Sequence, residues 1–380
     1  MTVRVSKPAF NLREKLSELD VPVGSHGGQI MQSSSVEETF NLVRAGRRNM
    51  VINGAMEVNQ RYGTSSTTIP NGTGGTYALD RWAVNEATGG SVSVNMDGDP
   101  QNYPEVSMFS KAMQIACASD NSSLSANENL HFFQNIEGYN MAHLGWGTRA
   151  AKPVTLSFWS KSNVPGYYCV GLENSATSRC CIKQFYHNGS SKWQKFVLTY
   201  PGCGDGTWVT NNGIGIRLRF CLASGTTYDD GVEGQWVGTD ELCIGSNQTN
   251  FITSTSNRFF ITGVQLEEGT VATPFEHRPY PEEYLLCARY FWRLTASDAN
   301  GNLTTGPRWL YFLYNTTSYS RVTVTYPTPL RALPSVVNID LSETGNQSGV
   351  QFNGTHSTTV YVNNPGTISS LSNVWINAEL

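Results

Sequence analysis

Charge is scarce in this sequence. Asp, Glu, Lys and Arg make up 15% of its 380 residues, against about a quarter in an ordinary globular domain. The charges nearly cancel, to a formal −4 at pH 7, so no general attraction to nucleic acid or to an anionic membrane follows. Long apolar runs are also missing. No window approaches the ~20 apolar residues that a bilayer-spanning helix requires, and membrane insertion is not expected. The opening MTVRVSKPAFNLREKL lacks the continuous apolar core of a secretory signal. Synthesis and assembly in a cytoplasm are therefore expected.

Chemistry-bearing motifs are absent too. There is no CxxC pair, no His–His pair at ligand spacing, no phosphate-cradling glycine loop and no nucleophile elbow. The six histidines (26, 131, 143, 187, 277 and 356) are scattered. Carboxylates occur in pairs at Glu267-Glu268 and Glu282-Glu283, but such pairs usually cap turns and helices, and a glycosidase needs two facing ones. Asp97-Gly98-Asp99 and Asp229-Asp230-Gly231 are fragments of calcium loops without the alternating oxygen ligands of a full site. Turn chemistry explains them. No catalytic residue and no metal site is assigned, and the expected function is non-enzymatic. The eight cysteines lie at irregular spacings, several in strand-like runs such as Tyr168-Cys169-Val170. There Cys acts as a small buried hydrophobe.

What is present is Gly, Ser, Thr and Asn between short apolar stretches. Segments such as NLHFFQNIEG, GYYCVGLEN, WQKFVLTYPG and GIGIRLRFCLAS each read as a strand ending at a turn. Short strands at regular intervals, without long helical periodicity between them, predict a β-sandwich or barrel. VTLSFWSKS alternates cleanly, with Val154, Leu156 and Phe158 on one face and Thr155, Ser157 and Trp159 on the other. Residues 192–200 and 213–222 are expected to pair. Along FFITGVQLE, Phe260, Thr262, Val264 and Leu266 are expected on one face and Phe259, Ile261 and Gln265 on the other. Gly269, Pro274, Pro279 and Pro281 then break the chain, and Pro281-Glu282-Glu283 starts a short aromatic helix.

Three regions follow. Residues 1–48 form an arm with two short amphipathic helices, one along NLREKLSEL with Leu12, Leu16 and Leu19 on a face, the other with Val36, Phe40 and Val43 as a stripe. Neither can build a core alone. Residues 49–279 form the sandwich, and residues 280–380 a short helix and a smaller β domain. In the latter, Trp309–Tyr314 and Arg321–Tyr326 read as paired strands around the turn Asn315–Ser320.

RNMVINGAMEVNQR, LDRW, SFWSKS, WQKFVLTY and VQLEEGTVATPFEHRPYPEEYLLCARYFWR together resemble bacteriophage virion proteins of the tail-fibre or minor structural type. The middle strands are similar to jelly-roll carbohydrate-binding modules, and VRVSKPAFNLREKLSELD resembles virion-attachment ends of marine-phage fibres. The resemblance implies a mainly β virion protein. Its short helical arm docks on another virion protein through Phe10, Leu12, Leu16, Leu19 and Phe40, followed by a jelly-roll β-sandwich and a second, smaller β domain. It also implies a homotrimer and host surface glycan as a contact. Capsid fibre or decoration protein is the alternative location, and a glycan-binding or glycan-degrading module the alternative class. Carbohydrate-binding jelly rolls often carry calcium, so a structural calcium stays open; no other cofactor is expected. Sugar binding needs exposed aromatic platforms. Tyr103, Tyr139, Trp146, Trp208, Tyr228 and Trp236 qualify, and Trp208, Tyr228 and Trp236 are the chosen glycan contacts, Trp208 and Trp236 because they lie in Gly- and Asn-rich loops.

Overall fold

The computed structural model describes residues 48–295, 310–311, 319–341, 348–363 and 370–380. The chain divides into two units, Met1–Arg47 and Arg48–Leu380. The expected docking residues Phe10, Leu12, Leu16, Leu19 and Phe40 lie outside the described residues. The expected boundary between residues 279 and 280 falls inside the second unit.

Thirteen strands build the first part of that unit. They are β1 (Thr67–Pro70), β2 (Thr73–Leu79), β3 (Trp82–Ala87), β4 (Ser91–Asp97), β5 (Ala112–Ser119), β6 (Asn129–Glu137), β7 (Val154–Ser162), β8 (Gly166–Glu173), β9 (Cys180–His187), β10 (Gln194–Tyr200), β11 (Ile214–Ser224), β12 (Trp236–Val237) and β13 (Arg258–Glu268). They form two antiparallel sheets, one ordered β1-β4-β5-β13-β7-β10 and the other β12-β9-β8-β11-β6-β3-β2. The chain crosses repeatedly between them, as in a jelly roll.

A single apolar core fills the space between the sheets. Phe132 stacks on Phe220 at 4.8 Å, Phe158 meets Phe220 edge-on at 5.2 Å, and Trp82 and Phe259 close the group. Each fully buried aromatic of this kind contributes about 1.5–3 kcal/mol. Val154, Leu156 and Phe158 point into this core, as the alternation of β7 predicts. All eight cysteines are buried free thiols.

Strand β13 departs from simple alternation. Phe259 and Ile261 face the core, but so do Val264 and Leu266, while Phe260 joins a cluster with Phe109 and Trp193. The pairing of β13 with β7 slips between Thr262 and Gln265. Gly263 sits in that bulge at φ +63, where an added Cβ would lie 2.4 Å from the Phe109 ring. The bulge inserts one residue and so reverses the phase of every side chain after it. The expected pairing of residues 192–200 with 213–222 is also corrected. β10 pairs with β7 in one sheet, and β11 lies between β8 and β6 in the other.

After β13, among the described residues, come the helix Tyr280–Ala288 and the strands β14 (Phe291–Thr295), β15 (Leu310–Tyr311), β16 (Tyr319–Thr325), β17 (Ser335–Leu341), β18 (Ser348–Phe352), β19 (Ser357–Asn363) and β20 (Ser370–Asn377). β20 pairs with β14, β15 and β17, whereas β16, β19 and β18 form a separate sheet. The expected hairpin of 309–314 with 321–326 is therefore replaced by two sheets. β15 finds its partner in β20 and β16 in β19, both distant in sequence.

Three segments, residues 48–53, 79–82 and 264–290, meet at one junction. Glu276 accepts the backbone N–H groups of Arg48 and Asn49 at 2.5 and 2.8 Å. The Asn49 amide donates to Val264 O at 3.0 Å and accepts from Leu266 N at 3.1 Å. Arg278 donates to Val51 O at 3.2 Å and pairs with Glu283, which accepts from Asn53 N. The Trp82 indole donates to Asn53 O at 3.0 Å. Arg81 pairs with Glu379, donates to Asn135 O and lies 3.5 Å over the Tyr290 ring. Glu137 collects Arg289 at 2.6 Å and the Tyr290 hydroxyl at 2.5 Å. Glu276 and Glu283 of the TPFEHRPYPEE block thus tie segments of the chain together. Glu267 likewise accepts from Thr273 N at 2.8 Å and from its hydroxyl at 2.7 Å.

Candidate functional site

The chosen loop aromatics do not form an open platform. Trp208 is 8% exposed and meets Trp146 edge-on at 4.7 Å; Trp236 completes the trio at 5.2 Å from Trp146 and 5.5 Å from Trp208. All three indole N–H groups donate to backbone carbonyls, of Asp205, Lys152 and Pro201. A ring so packed has no face to offer a sugar, so Trp208 is corrected to a core residue. Trp236 is half-buried against the same core. Tyr228 is elsewhere, half-buried over Cys169, Cys221 and Cys243. The structure does not bring the three together.

The first Asp-Gly segment is a side-chain turn, and the second, Asp229–Gly231, is bridged to residues 241–245. Asp97 Oδ1 accepts from Asp99 N at 2.7 Å, and Asp99 Oδ2 takes Lys161 at 2.6 Å and the Trp193 indole at 3.0 Å. Among the described residues no group of three or more His, Cys, Asp or Glu side chains is arranged to hold a metal ion. None of the described helices is long and apolar enough to cross a membrane. Ser160 and His187 make a 2.8 Å hydrogen bond reminiscent of a catalytic pair. Both are 0% exposed between the sheets, so no substrate reaches them.

Among the described residues, a concave feature lies on the outer face of the seven-stranded sheet. Alternation in each strand sends Phe132, Leu218 and Phe220 inward and leaves the residues between them outside. A cleft of about 410 Å³ results, over β2, β3, β6 and β11. Its working residues are Asn85, His131, Phe133, Asn135, Arg217 and Arg219. Register places Phe133 opposite Ala83 and Arg219, and His131 opposite Asn85 and Cys221. The glycines Gly74 and Gly75 of β2 keep one wall low.

Hydrogen bonds hold these groups in fixed poses. Asn129 Oδ1 accepts from Asn85 Nδ2 at 2.9 Å and meets His131 Nδ1 at 3.0 Å. One acceptor oxygen serving both fixes the proton on Nδ1, which leaves His131 Nε2 as a lone-pair acceptor. Burial, aided by the nearby Arg219, pushes the His131 pKa down to about 3, so the imidazole is neutral. Arg217 donates through Nε to Asn135 Oδ1 at 3.1 Å and through Nη1 to Glu173 at 2.9 Å. Its second Nη makes no hydrogen bond to a described residue. Phe133, half-buried, lies 5.7 Å from the His131 ring.

Behind the cleft runs an ion network. Arg219 binds Glu173 at 3.0 Å, Asp240 at 2.7 Å and Glu241 O at 3.0 Å. Burial pushes the Glu173 pKa up to about 7 against the pull of Arg219 and Arg217. For Asp240, burial opposes ionisation but Arg219 outweighs it and holds the carboxyl below its usual range. Two arginines, two carboxylates and a neutral histidine leave the cleft close to electroneutral. The segment carrying Asp240 also crosses the outer face of β8 and β9, where Leu242 and Cys243 bury Cys169, Cys180 and Cys221.

The signal for this site was present in the sequence. His131-Phe132-Phe133-Gln134-Asn135 and Arg217-Leu218-Arg219 each place polar or aromatic residues at alternate positions of a strand. Such positions on an outward sheet face are where a binding surface is built. Reading them as such requires knowing that β6 and β11 are neighbours.

No family model and no curated protein matches the chain. Solved structures give weak likenesses. The enzymatically active domain of tailspike protein 4 of bacteriophage CBA120 aligns with 58% of this chain and 21% of its own, at 13% identity and TM-score 0.30. The chain thus spans about a fifth of that structure. A putative sugar-binding protein from Bacteroides thetaiotaomicron aligns over 58% of this chain and 100% of its own, at 12% identity and TM-score 0.31. A family 11 carbohydrate-binding module of a Clostridium thermocellum cellulosomal cellulase aligns over 56% and 99%, at 11% identity and TM-score 0.27. At these values the likeness fixes neither family nor activity.

Proposed function

We propose that the chain is a non-enzymatic structural protein of a bacteriophage virion, a tail fibre or fibre-like appendage. It docks through residues 1–48, assembles as a homotrimer, and contacts host surface glycan through the cleft on its seven-stranded sheet. One observation carries the glycan part. The cleft joins an aromatic ring, Phe133, to fixed uncharged hydrogen-bonding groups, Asn85 and His131 Nε2, and to the spare Nη of Arg217. Sugars present that mixture of an apolar C–H face and ringed hydroxyls. The virion part rests on the sequence pattern of the arm and of the junction segments.

A glycan array probed with the full-length protein, with a reducing-end assay on every bound glycan, tests the reading. Binding without release of reducing ends is expected. Silence on the array overturns the glycan contact, and release makes the protein an enzyme. A second reading, a glycan-degrading module, draws on Glu173, whose pKa near 7 suits a general acid. Against it, Arg217 and Arg219 already engage both of its oxygens. Deleting residues 1–48 tests the docking role: truncated protein is expected to be lost from particles, and its continued incorporation refutes docking by the arm. Imaging particles with a labelled copy separates tail from capsid location, and a monomer by light scattering at micromolar concentration sinks the trimer.

A further inference from the structure

On the same sheet face, beyond the segment carrying Asp240, Tyr167 and Tyr186 stand directly opposite each other on β8 and β9. Their rings are 44% and 50% exposed and meet edge-on at 5.1 Å. Neither hydroxyl makes a hydrogen bond to a described residue. Cross-strand aromatic pairs stabilise sheets by roughly 0.2–1 kcal/mol, which accounts for the two rings touching but leaves their outer faces open.

The backbone of Tyr167 is held from both sides. Tyr167 is paired to β9 on one edge and bridged to Gln248 on the other, with Thr249 N donating to Tyr167 O at 2.8 Å. This strap runs so close that a Cβ on the preceding Gly166, at φ +137, would lie 2.0 Å from Thr249 Oγ1. Gly166 therefore lets the strap close on the strand and fixes the base of the Tyr167 ring. Polar groups near the pair along the chain and the pairing are uncharged, namely Gln184, Gln248 and Thr249. A preformed aromatic surface loses little entropy on binding.

We propose that Tyr167 and Tyr186 form a second glycan-contact platform, separate from the cleft, that stacks on the pyranose face of a neutral polysaccharide. Size decides against a protein partner. Two half-exposed tyrosines present roughly 200 Å², far below the ~800 Å² per side of a stable protein interface, and close to what one or two sugar rings cover. Position relates the platform to the cleft. Phe133 is level with Arg219, and Arg219 with Gly171 on β8, four residues from Tyr167. At ~3.3 Å per residue and ~4.8 Å per strand, the two sites lie roughly 16 Å apart. Cys169, between them on β8, is fully covered, so the surface is interrupted and the two contacts are distinct. A polymer can engage both at once, a short fragment only one, which converts two weak contacts into avidity.

The test is affinity electrophoresis of the full-length protein through gels containing soluble β-1,3-1,4-glucan, xylan, dextran or hydroxyethylcellulose. Wild type is compared with Tyr167→Ala/Tyr186→Ala, with Phe133→Ala/Arg217→Ala, with all four changes, and with Tyr167→Phe/Tyr186→Phe. At least one polymer is expected to retard the wild type, and the tyrosine-to-alanine pair to weaken that retardation about tenfold or more. The phenylalanine pair should keep most of it, and melting temperatures should stay near wild type. Tyrosine-to-alanine protein migrating like wild type in every retarding gel overturns the proposal, as does the failure of all four polymers to retard wild type. If the Phe133/Arg217 variant behaves as wild type while the tyrosine variant loses retardation, the platform stands and the cleft falls.

Discussion

Arg81 and Arg217 belong to one compact unit and are used in opposite ways. Arg81 is 1% exposed, with Glu379 on one Nη, Asn135 O on the other and the Tyr290 ring beneath its plane. Arg217 is partly open, tied to Asn135 and Glu173, and retains an unoccupied Nη at a cleft. Both Nη groups of Arg81 are already claimed by other parts of the chain, and its Nε is buried away from any ligand. Around Arg217 the groups are equally well positioned but keep bonding capacity. The difference separates a junction, whose polar groups join segments, from a site, whose polar groups are held still for something else. In a chain with so few charges, both uses of arginine stand out.

The comparison breaks most visibly at the junction. Replacing Arg81 with Met takes away one of the two partners of the buried Glu379, leaving Arg61 at 3.1 Å, and deprives the Asn135 carbonyl of its donor. Breaking a buried pair outright costs about 3–5 kcal/mol, and the surviving Arg61 contact places this loss at the lower end. Urea denaturation of Arg81→Met is expected to show a loss of that size; a change below about 1 kcal/mol would place this pair with ordinary surface ion pairs. Trp208→Ala sharpens the contrast from another side. Excavating one member of the tryptophan trio should cost about 3 kcal/mol while leaving any glycan affinity unchanged below the melting transition. Lost affinity with unchanged stability would return Trp208 to the role of a sugar platform.

Much of the fold was legible because β7 is regular: with no bulge, Val154, Leu156 and Phe158 alternate as the sequence suggests. β13 was misread because a single residue at Gly263 inverts the phase, and nothing in FFITGVQLE announces it beyond the glycine itself. Partners were less legible than strands. Residues 194–200 and 214–224 are both good strands, yet which sheet each joins depends on long-range register. The site suffered most. Trp208 and Trp236 looked exposed because their loops are rich in Gly and Asn, but Trp146, distant from both in sequence, packs against each. The cleft was missed because His131 and Arg219 become neighbours only through the β6–β11 pairing.

The smallest expected effect concerns acid. Burial pushes His187 down to about 4, below the ordinary 6.5. The unfolded chain therefore binds a proton at this position that the folded chain refuses, so its contribution to stability falls as pH drops from about 6.5 toward 4. Asp80 and Glu173, pushed up to about 7 by burial, act in the other direction: folded protein takes up their protons first, and their contribution falls as pH rises through 7. The histidine effect is isolated by comparing wild type with His187→Gln. The stability of wild type relative to the variant should decrease as pH falls from about 7 to about 4.5; a difference that stays constant across that range would show that His187 takes up its proton without cost.

The central claim is that the outer-face cleft binds sugar. Its most direct measurement is calorimetric titration of full-length wild type and Phe133→Ala/Arg217→Ala with the best ligand from a glycan array, alongside thermal melting of both. The account predicts affinity weakened at least tenfold, about 1.4 kcal/mol, with a melting curve close to wild type. Equal affinity in the two proteins would contradict it.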